Sequence, residues 1–158
     1  MSTTATRKKS LSRIFERRAF VVFVSRERDL ATLRRGKTCQ WTVPSAARPG
    51  DCLVIYKPGA SKGSAEEKKP PFEAFVAAGV VYGVPLRIEK GFFNAPIDEV
   101  TVFPSPVPRA IVAKSFSEWV WLRSMRGRSG VRIPAEIEAH FLSMIDRLAF
   151  QANRRTAK

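Results

Sequence analysis

The chain has 158 residues, enough for one domain with its own core, and 44% of them are apolar, too many for global disorder. Its 28 Lys and Arg stand against 14 Asp and Glu, and the resulting charge of +14 draws polyanions through phosphate neutralisation and counterion release. Two cysteines without CxxC spacing and a single histidine exclude a disulfide framework and a zinc site, and no run approaches the ~20 apolar residues of a membrane span.

Residues 1–17 carry Arg7, Lys8, Lys9, Arg13 and Arg17 against one acid, Glu16, and are expected to be a basic arm able to touch phosphate. The arm lacks the apolar stretch of a signal peptide, so a cytoplasmic protein is expected. The folded domain is expected over 18–150, with a basic tail at 151–158.

Ala19 to Val24 is apolar at every position and predicts a strand buried on both faces. Ser25 can cap a helical segment with Leu30 and Leu33 inward and Arg26, Arg28, Arg34 and Arg35 outward, stopped by Gly36. Trp41 then stands among Gln40, Thr42 and Pro44, in what reads as a connection between core strands. Arg48-Pro49-Gly50-Asp51 predicts a reversal before a second strand, Cys52–Lys57, in which Cys52 is a small core residue. Residues 58–71 have no apolar periodicity and are expected as an exposed loop.

Phe72 to Tyr82 predicts a third strand, with Gly79 permitting a bulge or bend. Phe92 and Phe93 fall in a linking loop, and Glu99 to Phe103 alternates as a half-buried strand. Pro104, Pro106 and Pro108 are expected to forbid ladder pairing and make an extended connection. Ser115 to Glu118 fits a capping box for a short helix carrying Trp119, Trp121 and Leu122. Pro134 opens a last helix whose Ile137, Phe141, Met144, Ile145 and Leu148 form one apolar stripe. Together these elements predict an α+β fold, a curved, mostly antiparallel sheet forming a partly closed barrel with helices packed outside.

No P-loop or GxGxxG is present and the carboxylates are scattered, so binding is expected rather than catalysis, with no cofactor and no metal. Hydrolysis through Lys, Tyr or Arg alone stays open. Trp41 is either a lid over the barrel end or one wall of a slot that stacks a base. Stacking contributes ~1–3 kcal/mol per base, comparable to the few kcal/mol that unstack a base from a duplex, so phosphate contacts must supply the surplus. Two adjacent aromatics on a loop cannot both face the core, so Phe92 or Phe93 covers or lines something; Asn94 beside them suits a base edge or a turn. Trp119 and Trp121 sit beside apolar neighbours and are expected in the core, one reaching the pocket floor. Arg34, Arg35 and Lys37 form one basic bank, and Arg123, Arg126, Arg128 and Arg132 another, for phosphate or as a solvated face.

Taken together, the apolar strand ending in Ser25, the helix, Trp41 within QWTVPSAARPGD and the Gly50-Asp51-Cys52-Leu53-Val54-Ile55-Tyr56 run resemble the EVE domain of the PUA-like superfamily. The later Phe72–Tyr82 strand, EVTVF with its proline-rich exit and the closing IPAEIEAHFLSMI follow the same order, so the resemblance covers roughly residues 19 to 148. It implies a bent, nearly closed sheet, as in the related YTH domains, and a pocket that takes a flipped or single-stranded modified base in an aromatic cage. By position it makes Trp41 the first cage wall, with Thr42 beside it in the pocket, sets Ser25 near the base edge and puts Lys57 on the rim. The Phe92–Phe93 loop falls where YTH relatives present further cage tryptophans, a departure that leaves the modification unspecified. The resemblance also implies a partner enzyme, such as the nuclease of a defence system, while unmodified-RNA binding and a metal-independent ribonuclease of a related branch remain the alternatives.

Overall fold

A computed structural model describes residues 18–24, 31–33, 38–58, 73–89, 92–125 and 130–151. Seven strands form one curled mixed sheet: β1 (Ala19–Phe23), β2 (Cys39–Val43), β3 (Cys52–Lys57), β4 (Ala74–Val81), β5 (Leu86–Glu89), β6 (Phe92–Pro108) and β7 (Val131–Arg132). Their order is β2-β6-β4-β3-β1-β7, with β5 paired to β6 on the edge opposite β2. Only β1 and β3 run parallel; the other pairings are antiparallel, as the α+β barrel expectation requires. Helices α1 (Arg109–Ser115), α2 (Trp121–Ser124) and α3 (Glu138–Ala149) follow the long strand.

Each face of the sheet buries its own apolar cluster, which is why β1, β3 and β4 carry almost no polar residue. One cluster joins Val21, Val54 and Phe75 to Phe116, Leu122, Phe141 and Ile145 of the helical layer. The other is drawn almost wholly from strands, including Val22, Trp41, Leu53, Ile55, Val81 and Ile97, with Leu33 and Ala47 added. That second cluster is the barrel interior.

The two edge strands meet at a seam. Gly130, just before β7, donates its amide to Val21 O at 2.8 Å, and a Cβ there would lie 2.9 Å from Pro44 Cγ, just after β2. With φ at +85°, the position suits glycine on conformational grounds as well. Closure of the barrel therefore depends on a missing side chain.

The bend expected at Gly79 is present, but the extra residue lies in the partner strand. Ala78 pairs with Thr101 and Val80 with Asp98, so β6 spends one residue more than β4, and Glu99 takes up the difference at φ 51°. The prolines do not end the strand as expected. Pro108 pairs with Ala74 and Val107 with Phe75, while the ladder skips Phe103 to Pro106, which bulge out where no amide is required.

Two further expectations are corrected. Ser115 ends α1 instead of opening a helix; Trp119 N donates to Phe116 O and Leu122 N to Trp119 O, three-residue turns that put all three apolar side chains into the core. Pro134 opens a turn closed by the Ile137 amide, and α3 starts only at Glu138. Its stripe is as expected, with Ile137, Phe141 and Ile145 buried and Met144 and Leu148 packed at the margin.

The launch of β3 is held by Asp51, which is buried. Its Oδ2 accepts from the Arg18 guanidinium at 2.8 Å and from the Arg48 amide at 2.9 Å, and Gly50 turns at φ 97°. Gly50-Asp51 is a structural device, as the turn chemistry indicates.

Candidate nucleic-acid interface

Trp41 lies in a strand, not in a connection. Cys39 to Val43 alternates in burial, so Gln40 and Thr42 face out while Trp41 and Val43 face the barrel interior. The polar neighbours that set Trp41 apart in the sequence are the outer face of its own strand. Only 8% of the residue is exposed, so the indole is not an open wall. Its Nε1 is nevertheless buried without a hydrogen-bond partner among the described residues, amid Val43, Ile97 and other apolar residues. A buried donor left in this way costs about 1–3 kcal/mol.

Phe92 and Phe93 open β6; they do not form a loop. Val43 pairs with Phe93 and Trp41 with Ala95, which puts Phe93 on the Trp41 side, half-buried against the interior cluster. Phe92 points the other way and is 58% exposed. Thr42 pairs with Asn94, so both belong to the outer face, although Asn94 Oδ1 is itself buried and unpartnered. The expected pocket set thus divides across the sheet: Trp41 and Phe93 lie inside, Thr42, Phe92 and Asn94 outside. Lys57 is buried at the end of β3 and is not an open rim group. Ser25, Arg34, Arg35, Lys37, Arg126 and Arg128 lie outside the described residues.

Of the basic banks, Arg132 and Arg123 are placed, and both are exposed. Arg132 pairs with Phe20, whose side chain packs in the barrel interior, so Arg132 projects on the Trp41 side of the sheet. Arg18 is on that side too, its guanidinium 5.6 Å above the Phe20 ring. Arg123 belongs to the helical layer, where its Nη2 donates to Ser117 O at 3.3 Å and its carbonyl accepts from Arg109. The two described arginines flank different layers and do not form one bank.

An aromatic group that joins Phe23 and Tyr56 to the two tryptophans Trp119 and Trp121, a link no sequence pattern showed, sits at the carboxyl end of β1. Phe23 stacks on Trp121 at 6.3 Å and 16°, Trp121 lies 5.2 Å from Trp119, and Tyr56 lies 5.6 Å from Phe23. Phe23 and Trp121 are only half-buried. Burial pushes the Tyr56 hydroxyl upward in pKa, against an opposing pull from Arg109. The signal was available in AFVVFV, where the fifth residue is an aromatic at a strand end. Trp119 is core, as expected, and Trp121 is the one that reaches toward the surface.

Among the described residues no His, Cys, Asp and Glu cluster could hold a metal ion. No helix among them is long and apolar enough to cross a membrane.

No family model matches the chain, and no curated protein matches it. Solved structures do. Protein Rpa0253 from Rhodopseudomonas palustris superposes with a TM-score of 0.57 at 16% identity, over 83% of this chain and 94% of that one. The MmI1 YTH domain gives 0.52 at 9% identity, over 85% and 98%. The Toxoplasma CPSF4-YTH domain, in its apo form, gives 0.51 at 13% identity, over 84% and 87%. At such identities the likeness is one of fold. The chain has a PUA-like, YTH-like fold: a curled half-barrel with a few helices against it.

Proposed function

We propose that this chain is a non-enzymatic nucleic-acid reader of the EVE type that takes a flipped or single-stranded, modified base beside Trp41. The observation that carries the proposal is the Trp41 indole: strand pairing holds it on the inner side of a YTH-like half-barrel, and its Nε1 has no acceptor among the described residues, in apolar surroundings. An incoming base brings both a flat face for the ring and acceptor atoms for the N–H. Phe93 lies two strand positions from Ala95, the partner of Trp41, and supplies a second aromatic on the same side. Stacking at ~1–3 kcal/mol per base roughly cancels unstacking, so the +14 charge supplies the remaining attraction through phosphate. Ser25 at the base edge and Arg34, Arg35, Lys37, Arg126, Arg128 and Arg132 as backbone contacts belong to the same proposal, as does a separate effector enzyme for any cleavage.

The test is binding of methylated and plain oligonucleotides, DNA and RNA, to the wild-type chain. A preference for one methylated base supports the proposal; equal affinity for all of them removes it. Trp41→Ala in a folded variant should abolish the preference and keep most of the salt-sensitive affinity.

A second reading, a metal-independent ribonuclease, has one observation in its favour. His140, the sole histidine, shares a groove of about 510 Å³ with Glu118 and Glu136, beside α3. Cleavage of RNA that persists in chelator and is lost in His140→Ala would establish it.

A further inference from the structure

Among the described residues, Asp51 and Lys57 are the only charged side chains that are buried. Asp51 is answered by Arg18 and the Arg48 amide where β3 begins. Lys57, 4% exposed, closes the same strand ~20 Å away. Alternation fixes its side. Leu53 and Ile55 pack in the barrel interior and Tyr56 in the helical layer, so position 57 turns back to the interior. The neighbouring strand agrees: Phe23 pairs with Tyr56, the Val24 amide donates to Tyr56 O, and Val24 belongs to the interior cluster. Lysine is among the residues least often enclosed, because stripping water from an ammonium is costly. Here it stands on the side of the sheet that holds Trp41 and Phe93.

We propose that Lys57 selects the base: its ammonium donates to N7 and O6 of a guanine, plain or modified, whose face lies on the aromatic side chains of the interior. This rests on the reading that a base enters beside Trp41. Guanine alone among the bases sets two acceptors side by side with no donor on that edge, and lysine meets both at once. Adenine and cytosine would turn an amino group, itself a donor, toward the ammonium. An ammonium has three N–H groups, so two can turn to a base while the third keeps a contact within the chain. Trp41 Nε1, another donor on this side, has the same preference for an acceptor. Any methyl mark on the guanine is then carried away from that edge, as on N2.

Anisotropy titrations with single-stranded oligonucleotides that differ at one central base test the proposal. Guanine or N2-methylguanine should bind tightest, and 7-deazaguanine, which stacks alike but lacks the N7 acceptor, ~tenfold more weakly. Adenine, cytosine and their methylated forms should fall with 7-deazaguanine or below it. Lys57→Met removes the ammonium and keeps an unbranched stem. It should bring guanine down to the level of 7-deazaguanine and leave the latter where it was. Where that variant does not fold, the wild-type series decides alone. Equal affinity of the wild type for guanine and 7-deazaguanine overturns the proposal. So does a tightest-bound base other than guanine, which leaves the reading of a base beside Trp41 standing. Equal affinity for every base removes both. A guanine preference that survives in folded Lys57→Met overturns the role of Lys57.

Discussion

Glu138 Oε1 accepts the backbone amide of Ala19 at 2.7 Å, tying the first turn of α3 to the first residue of β1 across 119 residues of chain. The side chain is half-buried, and desolvation raises its pKa above the ordinary carboxylate value, against the pull of the Ala19 amide and of Arg132 and Arg18. A carboxyl raised in the folded state binds its proton more tightly there than in the unfolded chain. Its contribution to stability is therefore fully present below the unfolded pKa and is lost as pH rises through the folded one. Glu138→Gln keeps the acceptor oxygen and removes the charge. Its stability relative to wild type should increase between about pH 4 and pH 7, as read from urea midpoints. A relative stability that falls over that range would contradict the assignment. Glu138→Ala, which leaves the Ala19 amide without its partner, should cost about 1–3 kcal/mol at either end.

Trp41 yields a prediction about stability that is separate from binding. Its Nε1 makes no hydrogen bond among the described residues, so Trp41→Phe gives up ring volume only and should cost less than about 2 kcal/mol. Trp41→Ala, which empties part of the barrel interior, should cost ~3–5 kcal/mol. Equal losses in the two variants, measured by chemical denaturation, would mean that the indole N–H is bonded after all.

Gly130→Ala should open the seam between the edge strands. The new Cβ meets Pro44 at 2.9 Å and must also adopt a φ of +85°, which together cost at least ~1–3 kcal/mol. In a chain of this size that lowers the melting temperature by roughly 2–4 °C per kcal/mol. An unchanged melting temperature would show that the seam contributes nothing to stability.

The two thiols should separate by reactivity. Burial raises the pKa of half-buried Cys39, whereas fully enclosed Cys52 is pushed far above the ordinary thiol range by burial and then by Glu138 and Asp51. A thiol reagent at mildly alkaline pH should label Cys39 slowly in the native protein and reach Cys52 only on unfolding. Labelling of both at one native rate would place Cys52 nearer the surface.

The wrongly expected elements share one cause. Trp41 and Phe92–Phe93 were expected in connections, and Pro108 outside the ladder, because each lacks the continuous apolar signature of a buried strand. All lie in β2 or β6, strands with one covered face or with bulges, where polar residues and prolines are tolerated. Helix α1 gave no local signal either; Val112 is its one buried residue. For the candidate site, the sequence pointed to Trp41 and Phe93 but could not separate them from Thr42, Phe92 and Asn94, since facing depends on register.

Composition and pattern alone established a basic α+β chain, with β3 at its observed bounds and β1 within one residue of them, because buried strands are written as unbroken apolar runs. Three things depended on contacts between residues far apart in the chain, which no local propensity encodes. One is the side of the sheet on which each aromatic lies, and another is the seam where Gly130 meets Pro44. The last is the stacking of Phe23 on Trp121, nearly a hundred residues away.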